Sequence, residues 1–215
     1  MLLNFGWQME DVVNYVQENY RKDMSAKMMA NTLVGACRDL YMDKAGDDTT
    51  VAVMRIRQCQ IVNIMLGPPV DPKDDDKVVE EFLGQPGKKI VSGGTTSKMV
   101  AKHLGTEVTT DINYIDPEVP PIGYIKGIDL VTEGVLTIGK VLELSGEYLS
   151  ETDFDPRLLK RRDGASLIAR LLFEEATHVN FFVGRAMNPA YQNPDLPINL
   201  SIKFQLVRDL AKNLE

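Results

Sequence analysis

KKIVSGGTTSKMVAKHLG, residues 88–105, decides the fold. Its β-branched opening predicts a short strand at 88–92, its glycines a turn at 93–96, and its remainder a helix ending before Gly105. The same grammar returns in GYIKGIDLVTEGVLTIGKVLELSG at 123–146, read as a strand near 124–131, a turn at Thr132–Gly134 and a helix ending by Gly146. In DGASLIARLLFEEATHVNFFVGR, 163–185, a helix on Leu167, Ile168, Leu171 and Leu172 precedes a strand at 178–183. Leu200, Phe204, Val207, Ala211 and Leu214 then fall at helical spacing. Strands alternating with helices predict an α/β fold, a parallel sheet covered by helices in three layers.

Upstream the pattern differs. Met9, Val12, Val13, Val16 and Tyr20 form one helical stripe over 8–20. Met29, Leu33, Ala36 and Leu40 form another over 24–41, with Asp23 or Ser25 as the cap. TTVAVMRIR, 49–57, then alternates like a strand, with CQIVNIML, 59–66, as its hairpin partner. The methionines at 24, 28, 29, 42, 54 and 65 read as filling for this region's core. GPPVDPKDDDK, 67–77, with three prolines and four aspartates, reads as a linker. The expected organisation is therefore 1–66, a linker at 67–77, and an α/β domain at 78–215.

The chain has 215 residues, a net charge of −7 and a pI near 5.0, which argues against a general affinity for nucleic acid or anionic membranes. KRRDG, 160–164, is its one basic run and reads as a solvated loop before a helix. No apolar run reaches the ~20 residues that span a bilayer. MLLNFGWQMEDVV lacks the basic flank and cleavage site of a signal peptide. Cys37 and Cys59 read as isolated packed thiols, so a cytoplasmic location is expected.

SGGTTSK supports two readings. Gly93 and Gly94 let the backbone approach an anion, the following helix offers free amides, and Thr95 and Thr96 add hydroxyls. Alternatively, the stretch is a tight turn with nothing bound. It has neither the Walker A nor the GxGxxG spacing. Ligands of open parallel sheets bind beyond the carboxyl ends of the strands. There Glu133 would meet a hydroxyl or metal, or else cap its helix. Arg185, beside Gly184, would clamp a phosphate or carboxylate, or else lie free on the surface. His103 and His178 have no ligand-spaced Cys or carboxylate.

GDDTT, 46–50, places Asp47 and Asp48 before the expected strand. Adjacent carboxylates suit a β-turn, while a hard cation such as Mg²⁺ or Mn²⁺ needs further oxygens from elsewhere.

GDDTTVAVMRIR also resembles the closing motif of SpoIIE-type PP2C phosphatases, metal-dependent serine/threonine phosphatases. The resemblance implies that Asp47 stands at a metal-ligand position with Asp48 as its neighbour, and that the two preceding helices belong to the same fold. GPPVDPKDDDKVVEEFLGQPGKKIVSGGTTSKMVAKHLG, from 67, and VPPIGYIKGIDLVTEGVLTIGKVLEL, from 119, resemble a C-terminal extension of some bacterial members. Together these imply that 1–66 is an incomplete α+β remnant of the phosphatase domain and 78–215 its extension. The family's binuclear Mn²⁺ or Mg²⁺ centre uses upstream Asp-Gly motifs, whereas the one Asp-Gly pair here is Asp163-Gly164. With one motif left, the polypeptide alone is expected to have little or no phosphatase activity and no catalytic residue of its own. The expected partners are a second copy through residues 1–66, and a phosphoprotein or small phosphorylated ligand. The competing expectations are a phosphate- or nucleotide-binding α/β module and a structural interaction domain.

Overall fold

The computed structural model describes residues 7–42, 44, 48–110, 121–150, 154–186 and 202–215. The chain divides into two compact units, Met1–Gln58 and Cys59–Glu215.

In the first unit, helix α1 spans Met9–Asn19 and helix α2 spans Ala26–Leu40. Ser25 caps α2, its side chain accepting from the Met28 amide at 3.2 Å. Arg55 donates to the Met24 and Lys22 carbonyls, at 2.8 and 3.1 Å, and ties the later segment to the turn between the helices. Met24 and Met29 are buried, as expected of a methionine-filled core, but Met42 and Met54 are not.

The strand expected at 49–57 is not formed. Alternation favours a strand only where a ladder partner and a buried face exist, and Met54 and Ile56 are 90% and 93% exposed. Its supposed hairpin partner belongs elsewhere: Ile61–Leu66 is strand β1 of the second unit, paired in parallel on both sides. The unit boundary therefore falls between Gln58 and Cys59, ahead of the expected linker. Residues 67–77 are built into the second unit, with a 3-10 turn at Pro72–Asp74 capped by Asp71, and the start of helix α3 at Asp75. Clustered aspartates read as a solvated linker because they also suit a helix N-terminus.

The second unit is the α/β fold expected. After α3 (Asp75–Gly84) come β2 (Lys88–Ser92), α4 (Gly94–His103), β3 (Thr109–Thr110), β4 (Gly123–Tyr124) and β5 (Leu130–Thr132). Then follow α5 (Val135–Leu149), α6 (Gly164–Arg170) continued by a π-helical turn at Leu171–Glu175, β6 (His178–Val183) and α7 (Ile202–Leu214). The strand expected near 124–131 is two short strands, because the chain turns at Gly127, where φ is +91°. The sheet order is β3-β4-β5-β2-β1-β6, with β5, β2, β1 and β6 parallel and β3 and β4 antiparallel.

Period-two side chains split the core between the sheet's faces. Val62, Ile64, Leu66, Ile90 and Leu130 pack with α5, α6 and α7, through Ile138, Val141, Ile168 and Leu210. Met65 and Val91 pack with α3 and α4, through Val79, Phe82, Met99 and Val100. Burying each such side chain contributes about 2 kcal/mol.

Asn63 interrupts this apolar strand and is fully buried. Its amide donates to the Pro86 carbonyl at 2.8 Å, and its oxygen accepts from the Asn180 amide at 2.9 Å, fastening β1 to both neighbours. Asn63→Leu removes both bonds while their exposed partners can turn to water, and is expected to cost about 2 kcal/mol, at about 1 kcal/mol for each bond. A urea midpoint measured with an unchanged m-value would check it.

Candidate functional site

Four parallel strands end along one edge of the sheet, so the segments after β1, β2, β5 and β6 lie on a common rim. The turns after β2 and β5 are neighbours there. The Gly93 amide donates to the Thr132 carbonyl at 2.8 Å, extending the β2–β5 ladder past its last pair. Ser92 Oγ donates to the Glu133 carbonyl at 2.6 Å. A Cβ on Gly134 would lie 3.3 Å from Gly93 Cα, so glycine at 134 lets the two backbones meet. Gly93 itself has a φ of +114°, which excludes most side chains.

Immediately beyond this contact two helices begin. α4 starts at Gly94 and α5 at Val135, each with glycine as its N-cap residue and neither with a side-chain cap. The turn expected at 93–96 is thus one residue long: Gly93 turns and Gly94 is already helical. First-turn amides of two adjacent helices, with the positive ends of both dipoles, face one stretch of rim.

The predicted site residues separate into different roles. Thr95 is exposed, at the mouth of this arrangement. Thr96 is buried, and its hydroxyl oxygen accepts from the Gly67 amide at 2.9 Å, latching the segment after β1 onto α4. Glu133 is exposed, and its carboxylate lies between the two helix starts. One oxygen accepts from the Gly134 amide at 3.4 Å, and the other would be 3.6 Å from a Cβ on Gly94. Glu133 therefore does part of the helix capping that was its plainer reading. Thr137, in the first turn of α5, is fully buried with a hydroxyl oxygen that has no hydrogen-bond partner.

Gly184 and Arg185 lie on the same edge but follow β6, two strands from β2 with β1 between them. Arg185 is exposed. The Gly184 and Ala186 amides donate to the Leu66 and Pro68 carbonyls, at 2.9 and 3.1 Å, so this end of the rim is closed by backbone pairing. Lys203, on α7, donates to the Gly184 carbonyl and to the Ala186 carbonyl, the latter at 3.0 Å. Burial lowers its pKa below the usual lysine value. Neither Gly67, within a proline- and aspartate-rich stretch, nor Lys203 carries a motif that marks it for this rim.

Asp47 lies outside the described residues, and Asp48 is exposed. Among the described residues no group of three or more His, Cys, Asp or Glu could hold a metal ion. The histidines do have partners that sequence spacing concealed. His103 Nδ1 is 2.8 Å from Asp76 Oδ1, and His178 Nδ1 is 3.5 Å from Cys59 Sγ. In KRRDG the three basic residues are exposed, but Asp163 and Gly164 are buried, Gly164 already belonging to α6 and Asp163 capping it by accepting from the Ser166 amide and hydroxyl at 2.9 and 2.8 Å. Among the described residues no helix is long and apolar enough to cross a membrane. Residues 187–199 lie outside the described residues.

No family model matches the chain, and neither the curated proteins nor the solved structures provide a match.

Proposed function

We propose that the unit Cys59–Glu215 is a recognition module for a small molecule bearing an oxyanion, of the nucleotide or sugar-phosphate class. The observation that carries this reading is the meeting of two helix N-termini, both without a side-chain cap, over the Gly93–Gly134 backbone contact. Such amides are donors with a favourable dipole, and among the described residues Glu133 is the side chain that accepts there, from the Gly134 amide. Glu133 then divides the ligand chemistry. Its charge opposes a bare anion, while its oxygens suit the hydroxyls of a sugar next to the phosphate.

A thermal-shift screen of the full chain tests this, with inorganic phosphate, nucleotides and sugar phosphates set against unphosphorylated counterparts. A true ligand at one hundred times its Kd adds about 2.7 kcal/mol, a rise of roughly 5–10 °C for a domain of this size. No shift with any phosphate would favour a structural interaction domain. Glu133→Gln is expected to strengthen binding of inorganic phosphate roughly threefold or more, by removing the competing charge. It is expected to weaken any ligand whose hydroxyls Glu133 accepts. Thr95→Ala is the cleaner hydroxyl probe, since Thr96→Ala also breaks the latch to Gly67.

The resemblance of GDDTTVAVMRIR to SpoIIE-type phosphatases supplies a context for the module. Attached to the terminal part of such an enzyme, it would regulate the enzyme or recognise its phosphoprotein target. On this reading the chain alone turns over no p-nitrophenyl phosphate with Mn²⁺; robust turnover lost in Asp47→Ala would overturn it. Self-association through the first unit belongs to the same proposal, supported by the exposed Met9, Val13, Tyr20, Met54 and Ile56. Light scattering of the full chain, beside Met54→Asp/Ile56→Asp, would report it.

A further inference from the structure

At the opposite edge of the sheet, where β1 and β6 begin, the fold assembles a thiol, an imidazole and a hydroxyl. Cys59 Sγ lies 3.5 Å from His178 Nδ1 and 3.4 Å from Thr177 Oγ1, and Thr177 Oγ1 lies 3.0 Å from the same ring nitrogen. These groups stand 118 or 119 positions apart in sequence and meet only because β1 and β6 pair in parallel. Backbone bonds hold the cluster: the Thr177 and His178 amides donate to the Gln60 carbonyl at 2.8 and 3.3 Å, next to the Ile61–His178 register pair. The Gln60 amide in turn donates to Thr177 Oγ1 at 2.9 Å. That bond occupies a lone pair of the hydroxyl, whose proton has the Gln60 carbonyl at 3.2 Å, the ring nitrogen and the thiol within reach. Cys59 is exposed, whereas the chain's other cysteine, Cys37, is half-buried on α2.

We infer that Cys59 is a reactive thiol, set up by His178 and Thr177 for exchange with low-molecular-weight disulfides. Proton transfer along the Sγ–Nδ1 line leaves a thiolate facing two donors, the new Nδ1–H and the Thr177 hydroxyl. The thiolate attacks one sulfur of R–S–S–R. A Cys59–S–S–R bond forms as the original S–S bond breaks, and the departing RS⁻ takes the proton from His178. Cys59 is thereby oxidised to a mixed disulfide and one R–S group is reduced to the thiol, with no further oxidant required. The site is separate from the glycine-lined rim and does not rest on the reading of that rim.

The test is the reaction of the full chain with an aromatic disulfide whose released thiolate is coloured, followed at pH 7 in Cys37→Ser. Mass spectrometry assigns the modified residue. Cys59 is expected to react about tenfold faster than N-acetylcysteine under the same conditions. That advantage should vanish in His178→Gln and shrink in Thr177→Val, with circular dichroism unchanged. Should either variant fail to fold, unfolding Cys37→Ser in guanidinium gives the second measurement, because the advantage must disappear with the fold. A folded Cys59 no faster than N-acetylcysteine, or one unaffected by His178→Gln, would overturn the inference.

Discussion

Gly87→Ala is expected to lower the stability of the second unit by about 4 kcal/mol or more, roughly 8–16 °C in Tm for a domain of this size. Gly87 joins α3 to β2 at a φ of +93°, where an L side chain is strained. Space is the larger problem: a Cβ there would collide with the backbone carbonyl and Cβ of Ile61. Ile61 opens β1, the strand between β2 and β6, so it cannot yield without disturbing both ladders. Flexible side chains could step aside, but this obstacle is main chain. Calorimetry of the full chain checks the prediction, with Gly84→Ala as the control, since nothing lies within 4 Å of a Cβ at that position. Equal, small effects at the two glycines would contradict the account of how β1 is seated.

The second large effect is on binding. Gly94→Asp is expected to weaken an oxyanion ligand roughly tenfold or more while leaving stability nearly unchanged. Gly94 is the first residue of α4, and a Cβ there meets nothing closer than a Glu133 oxygen at 3.6 Å. An aspartate at this position places its charge where the ligand's anion would sit, and its attraction to the helix dipole offsets its repulsion from the nearby Glu133 carboxylate. Gly94→Asn has the same shape without the charge, so the Asp–Asn difference isolates electrostatics. Comparing their Kd values for one phosphate ligand, beside their Tm values without it, checks both halves of the prediction. If Asp and Asn weaken binding equally, the helix ends are not what holds the ligand.

Local sequence carried much of this structure. β2 and β6 fall where the β-branched runs 88–92 and 178–183 place them, because both strands are bounded by glycine or polar residues. α2 begins after Ser25 for the capping reason its sequence predicts. Nonlocal pairing was what stayed hidden. IVNIML has the same composition whether it closes a hairpin or runs parallel between two distant strands. Its actual role depends on Asn63 meeting Asn180, 117 positions away. TTVAVMRIR shows the converse, a strand-like alternation without a ladder. At the site, SGGTT and TEG were visible as turns, but their adjacency follows from β2 pairing with β5. Thr96 looked like a ligand hydroxyl and is a latch to Gly67, a distinction that only the position of the β1 end reveals.

The most direct test is an amide-resolved NMR titration of the ¹⁵N-labelled full chain with the phosphate panel. The proposed site predicts that the largest shifts fall on Gly94, Thr95, Thr96, Val135 and Leu136, the first-turn amides of α4 and α5. A panel that moves none of these at millimolar concentration, or a phosphate ligand whose shifts cluster at Gly184 and Arg185 instead, would contradict it.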